Sequence, residues 1–600
     1  MSLHRITAGS GYDYLTRQVA AMDSTERGHT GLASYYTEKG EIPGRWVGSG
    51  LTGIDGLSAG DTVTAEQMLA LFGSGHHPLA AQRAAALADN PDATERDVLD
   101  AIRLGQPFAV HANDISAFRV EVARRLNALN VAAGRPRDAA VDIDERARIR
   151  TEVGLEWFRR DFGRAPLNQR ELAGHIARLS RQKTTAVAGF DLTFSPVKSV
   201  SALWALAEPQ LAATIERAHQ QAVADALRFI ETHALFTRTG AHGVRQVDVQ
   251  GLIGAAFTHR DSRAGDPDLH THVAVANKVQ TLDGKWLSID SRVLHKAITA
   301  ASETYNTALE AHLSRALGVR FAPRAGGDPH KRPVREIVGV EPKLLERWSV
   351  RRQRIVARQA ELAVAFQHDH GRPPTPVEAI ALAQQATLET REAKHEPRTV
   401  TEQRTTWRAQ ARQVLGGEDP ITVMVHRALH PTPAEQTALT QAWFDQACER
   451  ILSRVEQDRS AWQSWHVRAE ALRYVRAANV PADRTEEIVD WLTGHVLDRY
   501  SIPLSPASDS VDEPEPLHRL DGASVYTVAG NRLYTSTRIL KAEQRILTNA
   551  GRHDGRTVPD TAVDLALLET AANGVQLNAG QVALVQAMAS SAVRVQLAIA

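Results

Sequence analysis

Residues 247–280 read VDVQGLIGAAFTHRDSRAGDPDLHTHVAVANKVQ, and the reading of this stretch decides the fold. Two apolar-rich runs, Val247–Thr258 and Leu269–Gln280, flank a polar loop of Asp, Ser, Arg, Gly and Pro, which is the pattern of an antiparallel strand pair. A third run, Lys285–Ile289, follows the turn signal Asp283-Gly284. Side chains on a strand alternate between faces, so His270 and His272 point to the same side. His259 ends the preceding run, and the loop of ten residues lets it return opposite them. Three imidazoles on two neighbouring strands can hold a divalent ion and still leave coordination positions open, as a catalytic metal site requires. The competing reading is three surface histidines beside a loop, in a chain with 24 histidines.

Working outward, Phe190-Asp-Leu-Thr-Phe194 alternates apolar and polar side chains and is expected to be another strand, ended by Pro196. Asp191 on that strand can orient a ligand imidazole through its second ring nitrogen; taken alone it would be a helix cap or a surface carboxylate. An amphipathic helix is expected from Ser199 to about Thr232, and another over Lys296–Leu317. Residues 2–8 form a short opening strand, with Gly9, Gly11, Gly40, Gly44, Gly48 and Gly50 marking the loops after it. Ala65 to about Arg181 favours helix. The result is an α+β domain over residues 1–325.

Residues 326–500 carry long, charged, helix-favouring stretches without strand alternation. Within them Arg351–Arg358 is a locally basic helix, either solvated or in contact with phosphates. Residues 501–519, with Pro503, Pro506, Pro514 and Pro516 among acidic side chains, read as a linker. Residues 520–600 begin a new α/β segment.

The chain has 600 residues, which suggests about three or four domains. Lys+Arg 70 balances Asp+Glu 70, so binding of nucleic acid through bulk positive charge is disfavoured, whereas a local basic groove is not. The single cysteine, Cys448, excludes an internal disulfide and a thiolate zinc cluster. No signal peptide and no run of roughly 20 apolar residues is evident, so a soluble cytoplasmic protein without membrane insertion is expected.

Tyrosine is scarce, nine in the chain, yet four lie near the start, in Gly11-Tyr12-Asp13-Tyr14 and Ser34-Tyr35-Tyr36. They could be core aromatics, but beside a three-histidine metal site a phenolate can also attack phosphorus. Four features together resemble the conjugative relaxases of the MobF (relaxase–helicase) type, in the HUH endonuclease group. They are the two tyrosine clusters; Gly44-Arg-Trp-Val-Gly48-Ser-Gly50 after Tyr35-Tyr36; Asp191-Leu-Thr-Phe-Ser-Pro-Val-Lys198-Ser-Val-Ser; and His259 with Pro267-Asp-Leu-His270-Thr-His272.

The resemblance implies a two-layer fold in which a central antiparallel sheet carries the metal site and a helical flap carries the tyrosines. It implies His259, His270 and His272 as ligands of a divalent ion (Mg, Mn or Zn), with Asp191 supporting a histidine and helping to take the tyrosine proton. A tyrosine would attack the scissile phosphate of single-stranded DNA at a plasmid transfer origin, leaving a 5′-phosphotyrosyl link and a free 3′-hydroxyl. A phenol with pKa about 10 is mostly neutral at pH 7, so it needs a base or a nearby cation. Here Asp13 separates Tyr12 from Tyr14 where the family carries adjacent pairs, and the interval to Tyr35 is longer. Tyr12 and Tyr14 both stay open as first nucleophile, with Tyr35 as second acceptor and Tyr36 its alternate. Lys198 is expected to contact DNA or support the site, or to be a solvated lysine. Arg260 and Arg263 would supply a local positive field. Relaxosome accessory and coupling proteins are the implied protein partners.

The family also fuses its relaxase to a RecD-like helicase. Residues 564–600 resemble the start of such a motor, with Gln581 matching an adenine-reading glutamine and Val593–Ala600 expected as a buried strand. No Gly-x-x-x-x-Gly-Lys-[Ser/Thr] occurs, so neither ATPase nor unwinding activity is expected of these 600 residues, which read as the N-terminal part of a longer protein. Two other functions compete: a histidine-ligated metal hydrolase that activates water, and a non-catalytic DNA-binding protein.

Overall fold

The computed structural model of the chain describes residues 1–12, 15, 43–88, 90–110, 117–136, 139, 141–179, 185–326, 331–390, 398–433, 437–481, 483–504, 513–595 and 597. They form two compact units. The first comprises Met1–Ala212, Leu235–Ser291 and Val340–Val423; the second comprises Ala213–Ala234, Arg292–Gly339 and Met424–Ala600.

The first unit is built on a five-stranded sheet. Its strands are β1 (Ser2–Thr7), β2 (Arg45–Val47), β3 (Val187–Phe194), β6 (Gly254–Asp261) and β7 (Pro267–Ala276), in the order β1-β3-β7-β6-β2. Between β3 and β6 lies the hairpin of β4 (Phe236–Thr239) and β5 (Arg245–Asp248); after β7 comes that of β8 (Val279–Gln280) and β9 (Trp286–Leu287). Every pairing in the large sheet is antiparallel.

β7 holds the middle, and its alternation explains why. Leu269, Thr271 and Val273 are buried, while Asp268, His270 and His272 are half-buried. On the buried face Phe190, Leu192 and Phe194 pair with Val275, Val273 and Thr271. Helix Lys198–Leu206, buried from Ser199 onward, packs on β7, and its Ser201 Oγ accepts the Leu269 N–H at 3.1 Å. On the other face, the half away from the histidines is sealed by a core of Ile6, Trp46, Leu71, Phe72, Ile253, Ala255, Phe257 and Ala274. Burying each of the larger side chains contributes roughly 1.5–3 kcal/mol. One sheet face is therefore divided into an apolar half and a polar half.

Several elements differ from expectation. The run Val247–Thr258 is two strands, broken where Gly251 adopts φ +152 and packs against the Ser49-Gly50 backbone; a Cβ there would lie 1.9 Å from Ser49 Oγ. The run Leu269–Gln280 breaks at Asn277, whose carboxamide donates to Val187 O (2.8 Å) and accepts the Ile289 N–H (2.9 Å). The loop expected to span ten residues is shorter, because β6 continues through Asp261 and β7 starts at Pro267, with a register slip between His259 and Asp261. The helix expected from Ser199 to Thr232 is two helices, Lys198–Leu206 and Pro209–His233, since Pro209 starts a helix but cannot continue one. The expected 65–181 helical region holds the helices Ala117–Ala132, Ile143–Phe162 and Gln169–Leu179 around Phe118, Ile149 and Val153.

In the second unit, helices Gln441–Asp458, Ser464–Ala477 and Thr485–His495 pack around Cys448, Trp462, Val467 and Val489. Residues Ile502–Pro503 form β12, which pairs with β13 (Tyr534–Thr535), so the expected linker begins inside a strand pair. The helix pair around Leu577–Gln581 is present as Asp560–Ala572 and Ala579–Ser590. Of the strand expected over Val593–Ala600, Gln596 and Ala598–Ala600 lie outside the described residues, and the described ones, Val593, Arg594, Val595 and Leu597, form no strand. Among the described residues no helix is long and apolar enough to cross a membrane.

Candidate metal centre and active site

Register brings the three histidines together. His259 on β6 is the direct partner of His270 on β7, and His272 lies opposite Phe257 on one side and Thr193 on the other. The ring centres of His259, His270 and His272 form a near-equilateral triangle with sides of 5.3, 5.3 and 5.2 Å. Three imidazoles bound to one tetrahedral ion through metal–nitrogen bonds of roughly 2.0–2.1 Å would hold their ring centres roughly 5.2 Å apart. The triangle has that size.

The tautomers fit as well. His270 Nδ1 lies 2.7 Å from the Asp268 carbonyl, which can only accept, so Nδ1 carries the proton and Nε2 the lone pair. His272 Nδ1 lies 3.0 and 2.9 Å from the two carboxylate oxygens of Asp191, with the same consequence. This carboxylate–histidine arrangement fixes a metal-binding ring from behind. Burial pushes the His270 pKa down, with His272 adding to the effect and Asp268 opposing it, and so favours the neutral imidazole that a metal needs. Among the described residues no group of three or more His, Cys, Asp or Glu has its donor atoms placed to hold a metal ion as the side chains stand. Turning an imidazole about Cβ–Cγ swings its nitrogens while barely moving its centre, so rotation of the rings within the same triangle can bring the nitrogens together. The donor set therefore suits a divalent ion.

Asp191 is buried on β3 beside the trio and is diagonal to His272, its own register partners being His4 and Ala274. Thr193, two residues on and on the same face, has its Oγ1 3.2 Å from His272 Nδ1 and 3.4 Å from Asp191 Oδ1. Sequence reasoning missed Thr193, although the alternation that selects Asp191 selects it too. Lys198 starts the helix after β3 and donates from Nζ to Pro267 O at 2.9 Å, with Asp268 Oδ1 at 3.4 Å. It ties that helix to the start of β7. Arg260 and Arg263 are half-buried, at the end of β6 and in the turn after it.

That turn is held from a distant part of the chain. Helix Val400–Leu415, capped by Thr399 and Glu402, places the Trp407 indole N–H 2.8 Å from Gly265 O and the Gln403 amide 3.1 Å from Asp261 Oδ2. Asp266 Oδ2 accepts the Val350 N–H at 3.1 Å. Local sequence gives no signal for these contacts, since more than eighty residues separate the partners.

Of the tyrosines, Tyr12 is 7% exposed and packs in the apolar half of the sheet face, its ring centre 6.4 Å from that of Phe72. Gly9 (φ +82) and Gly11, where a Cβ would meet Thr7 O at 2.2 Å, turn the chain from β1 toward it. Tyr14, Tyr35 and Tyr36 lie outside the described residues. The Gly44–Gly50 segment supplies β2, whose Trp46 is fully buried and donates from its indole to Gln67 Oε1 at 3.0 Å.

Parts of the chain are similar to known conjugation proteins. The TraI multifunctional conjugation protein of Escherichia coli is 42% identical over 104 residues, 17% of this chain and 6% of that protein. Its counterpart in Escherichia coli strain K12 is 40% identical over a stretch of the same length. The chain thus matches only a small part of these relatives. Among solved structures, the conjugative relaxase TrwC in a metal-bound complex with oriT DNA is 27% identical, covering 40% of this chain and 75% of that one, with a TM-score of 0.33. The copper-bound complex of TrwC with oriT DNA is 20% identical, covering 70% of this chain and 99% of that one, with a TM-score of 0.38. The family described as TrwC relaxase matches residues 8–414, which include every strand of the large sheet after β1, the three histidines, Asp191 and the helix that braces their hairpin, and the chain belongs to that family.

Proposed function

We propose that this chain is a conjugative relaxase that cuts one strand of plasmid transfer-origin DNA at a specific site by transesterification to tyrosine. The observation that carries the reading is the triangle of His259, His270 and His272 with Asp191 behind His272, inside the segment that matches the family. The three imidazoles would hold a divalent ion, Mg, Mn or Zn. When bound, the ion would polarise a non-bridging phosphate oxygen and stabilise charge in the transition state.

The chain's own residues do the rest. Asp191 holds the His272 ring in the tautomer that presents Nε2, and it is a carboxylate on that face able to help take a phenol proton. Arg260 and Arg263 give the end of the hairpin positive charge facing a DNA backbone, and Lys198 fixes the start of β7. An N-terminal tyrosine, Tyr12 or Tyr14, attacks phosphorus; its oxygen forms the new P–O bond as the bond to the 3′-oxygen breaks, and that oxygen leaves as a 3′-hydroxyl. One phosphoester replaces another, so the step is near balance and can reverse. Tyr35, or Tyr36 in its place, accepts a second transfer. Accessory and coupling proteins of a relaxosome in the cytoplasm are the expected partners.

The test incubates the protein and a divalent ion with single-stranded oligonucleotides spanning transfer-origin sequences, followed by mass mapping of tyrosine-linked nucleotide. A covalent 5′-adduct that is lost on Tyr→Phe change at positions 12, 14, 35 and 36 supports the reading. Cleavage that survives all four changes would instead mark a water-activating hydrolase, and absence of both cleavage and metal binding would leave a DNA-binding protein.

A further inference from the structure

Charge bookkeeping around one recess of the second unit leaves Arg320 without a carboxylate partner among the described residues. Helix Ser291–Leu317, the strand pair β10 (Phe321–Pro323) with β11 (Arg335–Ile337), and helix Ser464–Ala477 carry an ionic network that is buried at its centre and extends to the more exposed Arg332 and Asp458. Arg335 pairs with Glu310 at 3.0 Å, and Arg476 with Glu303 at 2.8 Å and Glu310 at 3.4 Å. Arg473 pairs with Glu303 and Glu470, and Arg332 with Glu470 and Asp458. Four arginines thus meet four carboxylates, and the network is neutral. Such a buried network is stable only when complete, since an unmatched buried charge costs several kcal/mol.

Arg320, between helix Ser291–Leu317 and β10, stands outside that balance. Its Nε is buried and makes no hydrogen bond, and no carboxylate among the described residues pairs with it. It lines a cavity of about 390 Å³ together with Thr307, Glu310, Arg335, Arg476 and Thr485. Thr485 is the first residue of helix Thr485–His495, whose N-cap, Arg484, makes no side-chain capping bond, so the first N–H groups of that helix have no cap from their own sequence. With Arg335 and Arg476 neutralised by Glu310 and Glu303, the recess keeps one positive charge in excess, that of Arg320, beside two threonine hydroxyls and an uncapped helix start. The volume lies in the range of small-ligand pockets.

We infer that this recess is an anion site for a phosphate group carried by a nucleotide-sized ligand, with Arg320 as its principal unmatched cation. Arg335 and Arg476 are held in place by their carboxylates and line the recess without having to move. The phosphate has two chemical sources, a free mononucleotide and the 5′-phosphorylated end of single-stranded DNA. This site is separate from the histidine centre and stands or falls independently of the nicking reaction.

The experiment is calorimetric titration of the full chain, without added divalent ion, with inorganic phosphate, with a deoxynucleoside monophosphate, and with a short oligonucleotide bearing or lacking a 5′-phosphate. Binding of phosphate or the monophosphate, weakened about tenfold or more by Arg320→Gln and largely restored by Arg320→Lys, is the expected result. Preference for the 5′-phosphorylated oligonucleotide over the monophosphate identifies a DNA end as the source, and the reverse preference identifies the free nucleotide. No binding of any phosphate at millimolar concentration overturns the inference, as does binding that Arg320→Gln leaves unchanged. An unaltered circular dichroism melt of both variants excludes loss of fold as the cause.

Discussion

His272 Nδ1 lies 2.9 Å from Asp191 Oδ2, although the two residues are not partners in the sheet register. The carboxylate reaches diagonally from β3 to β7 and fixes the proton on Nδ1, which leaves the lone pair on Nε2. Replacing Asp191 with Asn keeps the volume but removes the charge and offers an amide that can present a donor to a donor. Loss of such a supporting partner typically weakens metal binding about 10- to 100-fold. Titration of the apo protein with manganese or zinc, followed by calorimetry, measures it. Equal affinity in Asp191→Asn would mean that the carboxylate does not set the ring.

Trp407 braces the turn of the histidine hairpin from the outside, through its N–H bond to Gly265 O. Trp407→Phe keeps an aromatic ring in the buried slot but removes that donor, leaving Gly265 O without it and some volume unfilled. The expected loss is about 1–3 kcal/mol in urea unfolding. The amide of Gly265 and its neighbours should exchange faster with deuterium than in the parent. A variant with unchanged exchange there would show that the brace is incidental.

The sheet and the trio were legible because both follow from alternation. A strand sends every second side chain to one face, and the single Thr between His270 and His272 settles their direction without further knowledge. Where the chain leaves one strand for another was not legible. Gly251 looks like an ordinary strand residue until Ser49 and Gly50 are seen to press against it, some two hundred residues away in sequence. Likewise Arg260 and Asp261 read as loop because they are charged, yet β6 continues through them, with Gln403 bonded to Asp261. The Pro209 break was available from the sequence, since proline at a first helical position is a start signal. Arg320 carried no signal at all: its importance comes only from the pairing of its neighbours.

Gly48 has φ +106, and a Cβ built there would sit 2.2 Å from Leu252 O. Both conditions forbid a side chain, and the atom in the way is backbone that cannot swing aside. Gly48→Ala should therefore cost more than about 2 kcal/mol and lower the yield of soluble protein. Gly60→Ala serves as the control, because Gly60 also has positive φ (+93) but its Cβ would meet nothing within 4 Å. Equal losses in the two variants would assign the whole effect to backbone conformation and none to the contact with Leu252.

His77 is 3% exposed, and its Nδ1 accepts the Leu79 N–H at 3.1 Å. Burial, helped by Arg83 and opposed by Asp55, lowers its pKa from 6.5 to about 4. The unfolded chain therefore takes up a proton near pH 6.5 that the folded chain refuses. Its contribution to stability is complete above pH 6.5 and is lost as pH falls from 6.5 toward 4, by an amount on the order of 3 kcal/mol at most. His77→Asn removes the titration and keeps an acceptor for Leu79. Urea midpoints at pH 7.5 and pH 4.5 should differ less in the variant than in the parent; an equal difference would place the acid sensitivity elsewhere.

Cys448 is fully buried in the second unit, beside Ile451, Trp462 and Val489. Burial, with Asp445 and Glu449 adding to it, pushes the thiol up to about 11. At pH 8 only about one thiol in a thousand would be ionised even if a reagent could reach it, and the thiolate is the reactive form. The native protein should therefore not react with a thiol reagent over the time in which the urea-unfolded protein reacts completely. Because the chain has one cysteine, reaction reports the opening of this core and nothing else. At intermediate urea, comparison of thiol labelling with exchange at the β6–β7 turn would reveal whether the two units unfold together. Coincident midpoints require one cooperative transition, whereas labelling that precedes loss of the sheet would show that the second unit opens by itself.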